Sequence, residues 1–158
     1  YPHQGIFNQW SSDDEKAVTE ALSTTGLSPF ADRLVDELSG GQRQRVWIAM
    51  ILAQNTPIML LDEPTTHLDI AHQIEVLELL KKLSEQNGRT VIMVLHDLNL
   101  AMRYATNLIA MSEGEIREAG RPEDIVTSQM VRDVFSIEAE VIKDPIVGSP
   151  LCIPLPPK

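Results

Sequence analysis

The sequence is short of basic side chains, cysteine and long apolar runs, and each shortage removes a class of function. Only 13 Lys and Arg stand against 23 Asp and Glu, for a formal net charge of -10 at pH 7 and a pI near 4.7. Nucleic-acid binding draws most of its affinity from clustered Lys and Arg, so DNA or RNA is not an expected partner. The single cysteine, Cys152, cannot close an internal disulfide. Nothing here depends on an oxidising compartment, and the cytosol is the default location. No apolar run approaches the ~20 residues that a membrane-crossing helix needs. The start, Tyr1-Pro2-His3-Gln4-Gly5, has neither the basic stretch nor the apolar core of a targeting segment. It also lacks an initiator Met, so the sequence is expected to begin inside a longer chain.

What is present is the composition of an ordinary globular protein, 43% hydrophobic and 23% charged over 158 residues. A chain of that length buries roughly 70% of its unfolded surface, enough for one domain with a core. Residues 1–11 are turn-rich. Ser12-Asp13-Asp14-Glu15 then reads as a helix start, with Ser12 capping, Glu15 reaching back and an end near Gly26. A short helical or irregular piece is expected within residues 27–38. After Gly40-Gly41, residues 42–54 contain no Pro or Gly and place Val46, Ala49, Met50 and Ala53 on one helical face. Ile58-Met59-Leu60-Leu61 is a short apolar run that suits a strand buried on both faces. From 70 to 83, Ile70, Ile74, Leu77, Leu80 and Leu83 keep a 3.6 period, and Asn87-Gly88 closes that helix. Residues 90–95 form a second buried strand that ends at His96-Asp97, where Asp97 caps a helix over 98–104. Residues 108–111 and 115–118 flank Glu113-Gly114 as a hairpin. Arg121-Pro122-Glu123-Asp124 starts a short helix, and Ser128 caps another that reaches Phe135.

Strands alternating with helices after residue 57 predict an α/β fold with a largely parallel sheet and flanking helices, whose functional groups collect at the carboxyl ends of the strands. Three regions are expected: a helical subdomain over 1–56, an α/β core over 57–143, and a proline-rich extended tail over 144–158. Asp62, Glu63 and His96 all fall at strand ends.

An acidic pair in that position suits an enzyme of Mg2+-bound nucleotides. One carboxylate can hold the metal or a metal-bound water, and the other can position or deprotonate an attacking water. Read alone, Asp62-Glu63-Pro64 is also a plain strand-to-loop exit. Gly40-Gly41 opens a helix, where small residues let backbone N–H groups approach an anion and the helix end adds partial positive charge. Read alone, Ser-Gly-Gly is also an ordinary capped loop. His96 could contact a phosphate or a catalytic water, or be a satisfied structural residue. The conjunction of all three, in this order on separate elements, favours a nucleotide site.

That order resembles a known family. Leu38-Ser39-Gly40-Gly41-Gln42, followed by Arg43-Gln44-Arg45, resembles the signature motif of ABC ATPases. Residues 58–63 are similar to the Walker B strand and its following glutamate, Thr66-His67-Leu68-Asp69 to the D-loop, and His96 to the switch histidine. The resemblance implies a P-loop NTPase-like fold with a helical subdomain, binding of ATP and Mg2+, and ATP hydrolysis coupled to transport. Asp62 would hold Mg2+ through water, Glu63 would be the general base, and His96 would contact the γ-phosphate. Ser39, Gly40, Gly41 and Gln42 would meet ATP held by the opposite subunit of a head-to-tail dimer, and Asp69 would line the dimer interface. The implied partners are that second ATPase subunit, transmembrane permease subunits and, indirectly, a substrate-binding protein. The implied location is the cytoplasmic side of a bacterial membrane, peripherally bound.

The sequence departs from the family in one respect. No stretch fits GxxxxGK[ST], the loop that cradles phosphates, and Gln4 lies too close to the helical region that follows the family's Q-loop to be its glutamine. Without the cradle the chain is expected to bind ATP poorly in cis and to be inactive alone. An uncovered sheet edge and apolar surface are expected too, in a marginally stable or self-associating chain. Tyr1-Pro2-His3, residues 98–104, Val134-Phe135, Asp144-Pro145, Gly148 and Pro150-Leu151-Cys152-Ile153-Pro154 resemble the ATPase subunits of iron-siderophore, haem and cobalamin importers. The same residues could simply pack the C-terminal helices. An iron-siderophore importer is the preferred reading, ahead of a haem or cobalamin importer. A non-transport ABC ATPase would carry coiled-coil or basic insertions, which this compact acidic sequence lacks. A catalytically silent interaction module draws its support from the missing phosphate loop.

Overall fold

The computed structural model describes residues 10–156, so Tyr1-Pro2-His3 and Gln4 lie outside the described residues. The chain forms two compact units that divide after Val94.

In the first unit, helix α1 spans Ser12–Thr24 and is capped by Ser11. The Ser11 hydroxyl accepts from the Asp14 N–H at 3.1 Å, and Asp14 Oδ2 accepts from the Ser11 N–H at 2.9 Å. The capping box is three residues wide, so a cap one residue earlier than Ser12 makes Asp14, not Glu15, its second member. Two 3₁₀ turns, Ser28–Phe30 and Val35–Glu37, lead to α2 (Gly40–Ala53). The covered face of α2 is Gly41, Ile48, Ala49 and Leu52. Met50, expected on that face, is 52% exposed. The face is turned because α2 packs against two helices, α1 and α3 (Ile70–Asn87), rather than one.

Strands β1 (Ile58–Asp62) and β2 (Thr90–Val94) pair in parallel, from Ile58 opposite Thr90 to Asp62 opposite Val94. Parallel neighbours cannot be joined by a tight turn, and α3 is the crossover. It buries Val76, Leu77, Leu80 and Leu83, each a gain of roughly 1.5–3 kcal/mol before ordering entropy is set against it. Ile70, in the first turn, is 79% exposed and lies off this stripe. Gly88 ends the helix at φ 61, a conformation that glycine takes without steric penalty.

The two strands are covered on one face only among the described residues, not on both. Met59 and Leu61 join the core, while Ile58, Leu60, Ile92 and Val94 are exposed. An unbroken apolar run records what each face would tolerate, not whether both have a partner. Asp62 shares the open face, since side chains alternate along a strand.

The second unit starts with α4 (Leu98–Tyr104), capped by Asp97 as expected. Strands β3 (Leu108–Ser112) and β4 (Glu115–Gly120) form an antiparallel hairpin. Its two-residue turn has positive φ at Glu113 and Gly114, as the twist of tight hairpins favours. Helices α5 (Pro122–Ile125) and α6 (Ser128–Phe135) follow, and α6 is capped by Thr127 rather than Ser128, Thr127 Oγ1 accepting from the Met130 N–H at 3.1 Å. Residues 150–154, expected within an extended tail, form strand β6 (Pro150–Pro154), antiparallel to β5 (Ala139–Lys143). Prolines at both ends disguise β6, yet a strand paired on one side tolerates them. Among the described residues both sheets of this unit are antiparallel because short links join their strands, and the parallel arrangement is confined to β1 and β2. The Asn99 side chain fixes α4 to β6, donating to the Cys152 carbonyl at 3.1 Å and accepting from the Cys152 N–H at 2.8 Å. Burial of Cys152 pushes its thiol pKa up.

Candidate functional site

The start of α2 is built by Ser39 and Gln42. Ser39 Oγ accepts from the Gln42 N–H at 3.3 Å, and Gln42 Oε1 accepts from the Ser39 N–H at 2.9 Å. The next bond, Arg43 N–H to the Ser39 carbonyl at 2.8 Å, begins the helical ladder. Helix geometry leaves the N–H groups of Gly40 and Gly41 without an intrahelical acceptor, at the positive end of the helix dipole. The two glycines differ sharply in surroundings. Gly40 is exposed with open space where a side chain would go, whereas Gly41 is buried beneath the ring of His72.

Asp62 is the last residue of β1 and is exposed. Glu63, half-buried, follows at φ 48, the left-handed region that non-glycine residues rarely enter. The Thr66 hydroxyl donates to Glu63 Oε2 at 2.9 Å, and the Thr66 N–H donates to the Glu63 carbonyl at 3.2 Å. The connection passes buried Pro64 and Thr65, reaches a second positive φ at His67, and ends at Asp69, the N-cap of α3. Among the described residues no group of three His, Cys, Asp or Glu side chains is placed to hold a metal ion. Two adjacent carboxylates suit Mg2+ that arrives with phosphate oxygens and water, which is how that ion is usually held.

Asp69 Oδ1 accepts from the His72 N–H at 3.0 Å and lies 2.8 Å from His72 Nδ1. These bonds, the backbone one first, hold its carboxyl below the usual carboxylate range. One turn beyond the Gly41–His72 contact, Arg45 pairs with Glu75 at 3.3 Å. The starts of α2 and α3 therefore lie side by side, which brings Gly41 and Asp69 into one cluster with His72 between them. His96 is exposed and belongs to the second unit, between the end of β2 and the Asp97 cap.

Sequence reasoning passed over His72, and it placed Thr66 in the D-loop resemblance without foreseeing its bond to Glu63. Thr66 stands three residues after Glu63, the spacing of a turn that can return a hydroxyl to the carboxylate. His72 stands three after a capping aspartate, the spacing at which two side chains of a helix start can meet. Nothing local, however, could have tied His72 to a glycine on another helix.

The ABC transporter family model matches residues 2–66, which include both the α2 start and the acidic pair. The chain is 57% identical over 154 residues to the petrobactin import ATP-binding protein FpuD of Bacillus anthracis, over 98% of this chain and 56% of that protein. It is 55% identical over 155 residues to the ferric enterobactin transport ATP-binding protein FepC of Escherichia coli strain K12, over 98% and 57% respectively. Among solved structures it resembles a metal-chelate type ABC transporter in an inward-facing conformation, with a TM-score of 0.87 and 30% identity over 97% of this chain and 62% of that one. The chain thus spans a little over half the length of the curated relatives it matches. With its motifs in the family's order on a fold of the family's kind, the chain belongs to the ABC transporter ATPase family.

Proposed function

We propose that this segment is part of the ATP-hydrolysing subunit of an importer for iron(III)-siderophore complexes, acting at the cytoplasmic face of the membrane. The observation that carries the reading is the α2 start. An anion arriving from outside would meet the N–H groups of Gly40 and Gly41 and the positive end of a helix dipole. That arrangement fits a nucleotide held by one subunit and completed by Ser39, Gly40, Gly41 and Gln42 of its neighbour in a head-to-tail dimer. ATP then acts as a ligand that favours the dimer by mass action.

Within the bound site, Asp62 would hold Mg2+, and Asp69 would line the dimer interface. Mg2+ supplies neutralisation of the phosphate charge. Glu63 takes the proton of the attacking water, whose oxygen bonds to the γ-phosphorus as ADP leaves. His96 contacts the γ-phosphate. The strained backbone at Glu63 supports this role, because strain of that kind persists where a group must be aimed.

The substrate reading rests on the two relatives named for siderophores. They are named for different chelates, as suits an ATPase whose permease partners carry the substrate while it touches only nucleotide. In the full-length subunit carrying this segment, Glu63→Gln should lower ATP turnover by ~10²–10⁴-fold while ATP binding persists. Turnover within tenfold of wild type would remove Glu63 from the role. Iron-starved cells lacking the subunit should regain growth on a ferric siderophore when it is restored. Rescue of cobalamin or haem use alone would reassign the substrate.

A further inference from the structure

We propose that His72 is a positioning residue for the signature motif, a wedge that sets where α2 begins and that is itself held by Asp69. The inference rests on the reading of residues 38–42 as the part that meets a neighbour's ATP.

Gly41 is buried and helical, with no positive φ, so its backbone would accept alanine. What forbids a side chain there is the imidazole. A Cβ built on Gly41 would come within 2.9 Å of His72 Cγ and 3.0 Å of Nε2, closer than packed atoms allow, whereas Gly40 has nothing within 4 Å. Nor can the ring swing away without loss. Its Nδ1 lies 2.8 Å from Asp69 Oδ1, an oxygen that also accepts from the His72 N–H. A carboxylate can only accept, so Nδ1 carries the proton, and the Cδ2–Nε2 edge is left towards Gly41. Asp69 is fixed in turn, because it caps α3 with extended backbone, φ -68 and ψ 164. The N–H groups of Gly40 and Gly41 are thereby tied to residues 66–69 of the same chain through one side chain. A shift of either segment at a dimer interface is passed to the other.

The test is steady-state ATP hydrolysis by the full-length subunit in four forms: wild type, Gly41→Ala, His72→Ala and the double variant. His72→Ala should raise the ATP concentration for half-maximal rate about tenfold and leave the maximal rate within about twofold, since it loosens the α2 start and leaves Glu63 untouched. Gly41→Ala should be hurt more, and the double variant should recover about fivefold or more of that loss, because the new methyl fills the space the ring vacates. His72→Gln, which keeps a donor for Asp69, should fall between wild type and His72→Ala and replaces it if that chain does not fold. A double variant as impaired as Gly41→Ala would overturn the proposal, since the glycine would then answer to the nucleotide alone. A lowered maximal rate with an unchanged ATP requirement would overturn it too, by reducing His72 to a stabilising residue. Absence of ATP turnover in the wild-type subunit would instead sink the functional reading beneath it, and thermal melts of the four chains would still report whether positions 41 and 72 are coupled.

Discussion

After β1 the chain travels through residues 63–68 before Asp69 caps α3; after β2 it needs only Leu95 and His96 before Asp97 caps α4. In each case the aspartate accepts the third N–H of its helix, from His72 or Leu100, at 3.0 Å. The longer connection holds Glu63 at φ 48 and His67 at φ 65, while no residue of the shorter one has positive φ. A non-glycine residue there costs on the order of 1–2 kcal/mol. The bonds from Thr66 and the burial of Pro64 and Thr65 hold the longer connection against that cost. The comparison teaches that the same cap can end a plain connection or anchor a strained one, and that the strained one here carries Glu63.

The hardest test of that contrast is Glu63→Gly. In the full-length subunit it should lose ATP turnover by ~10²-fold or more. Its unfolding midpoint in urea should nevertheless lie above that of Glu63→Ala, which loses the same Thr66 bond but keeps the strained φ. A midpoint clearly below that of Glu63→Ala would mean that the backbone at 63 is not strained. The caps should separate by a smaller margin. Asp69→Ala should lower the urea midpoint more than Asp97→Ala, since only Asp69 also anchors an imidazole; equal losses would dissolve the distinction. The smallest effect is in acid. The carboxyl of Asp69 is held below its ordinary value chiefly by the His72 N–H. Its contribution is therefore complete above the unfolded value near ~3.9 and disappears as pH falls through the lower folded value. The stability gap between wild type and Asp69→Asn should narrow below about pH 4, and a gap that stays constant on acidification would contradict the assignment.

Much of this was legible in the sequence because its signals are local. Asp97 as a cap, Gly88 as a helix end and Glu113-Gly114 as a turn each depend on a few neighbouring residues. Even there the sequence left a choice, and Ser11 took the cap from Ser12 because either serine has an acid three residues on. Burial was harder to read. The face of α2 could not be placed without knowing that His72, on another helix, lies over Gly41. The apolar runs of β1 and β2 could not say how many faces find cover. Of the site residues, the start of α2 and the acidic strand end stood out by composition, whereas the role of Asp69 as the anchor of His72 required the folded chain.

The central claim is that residues 39–42 serve a nucleotide whose hydrolysis is run by Glu63 of the other subunit. Mixing two disabled full-length subunits tests it most directly. One carries Glu63→Gln, and the other carries Gly40→Asp, which puts an acid where the helix start tolerates it but where a phosphate would be repelled. Sites shared between subunits predict that ATP turnover rises on mixing above either variant alone, because one site of each mixed dimer joins an intact Glu63 to an intact signature. If both elements served one nucleotide within a single subunit, no mixture could assemble an intact site, and turnover that stayed at the level of the separate variants would contradict the account.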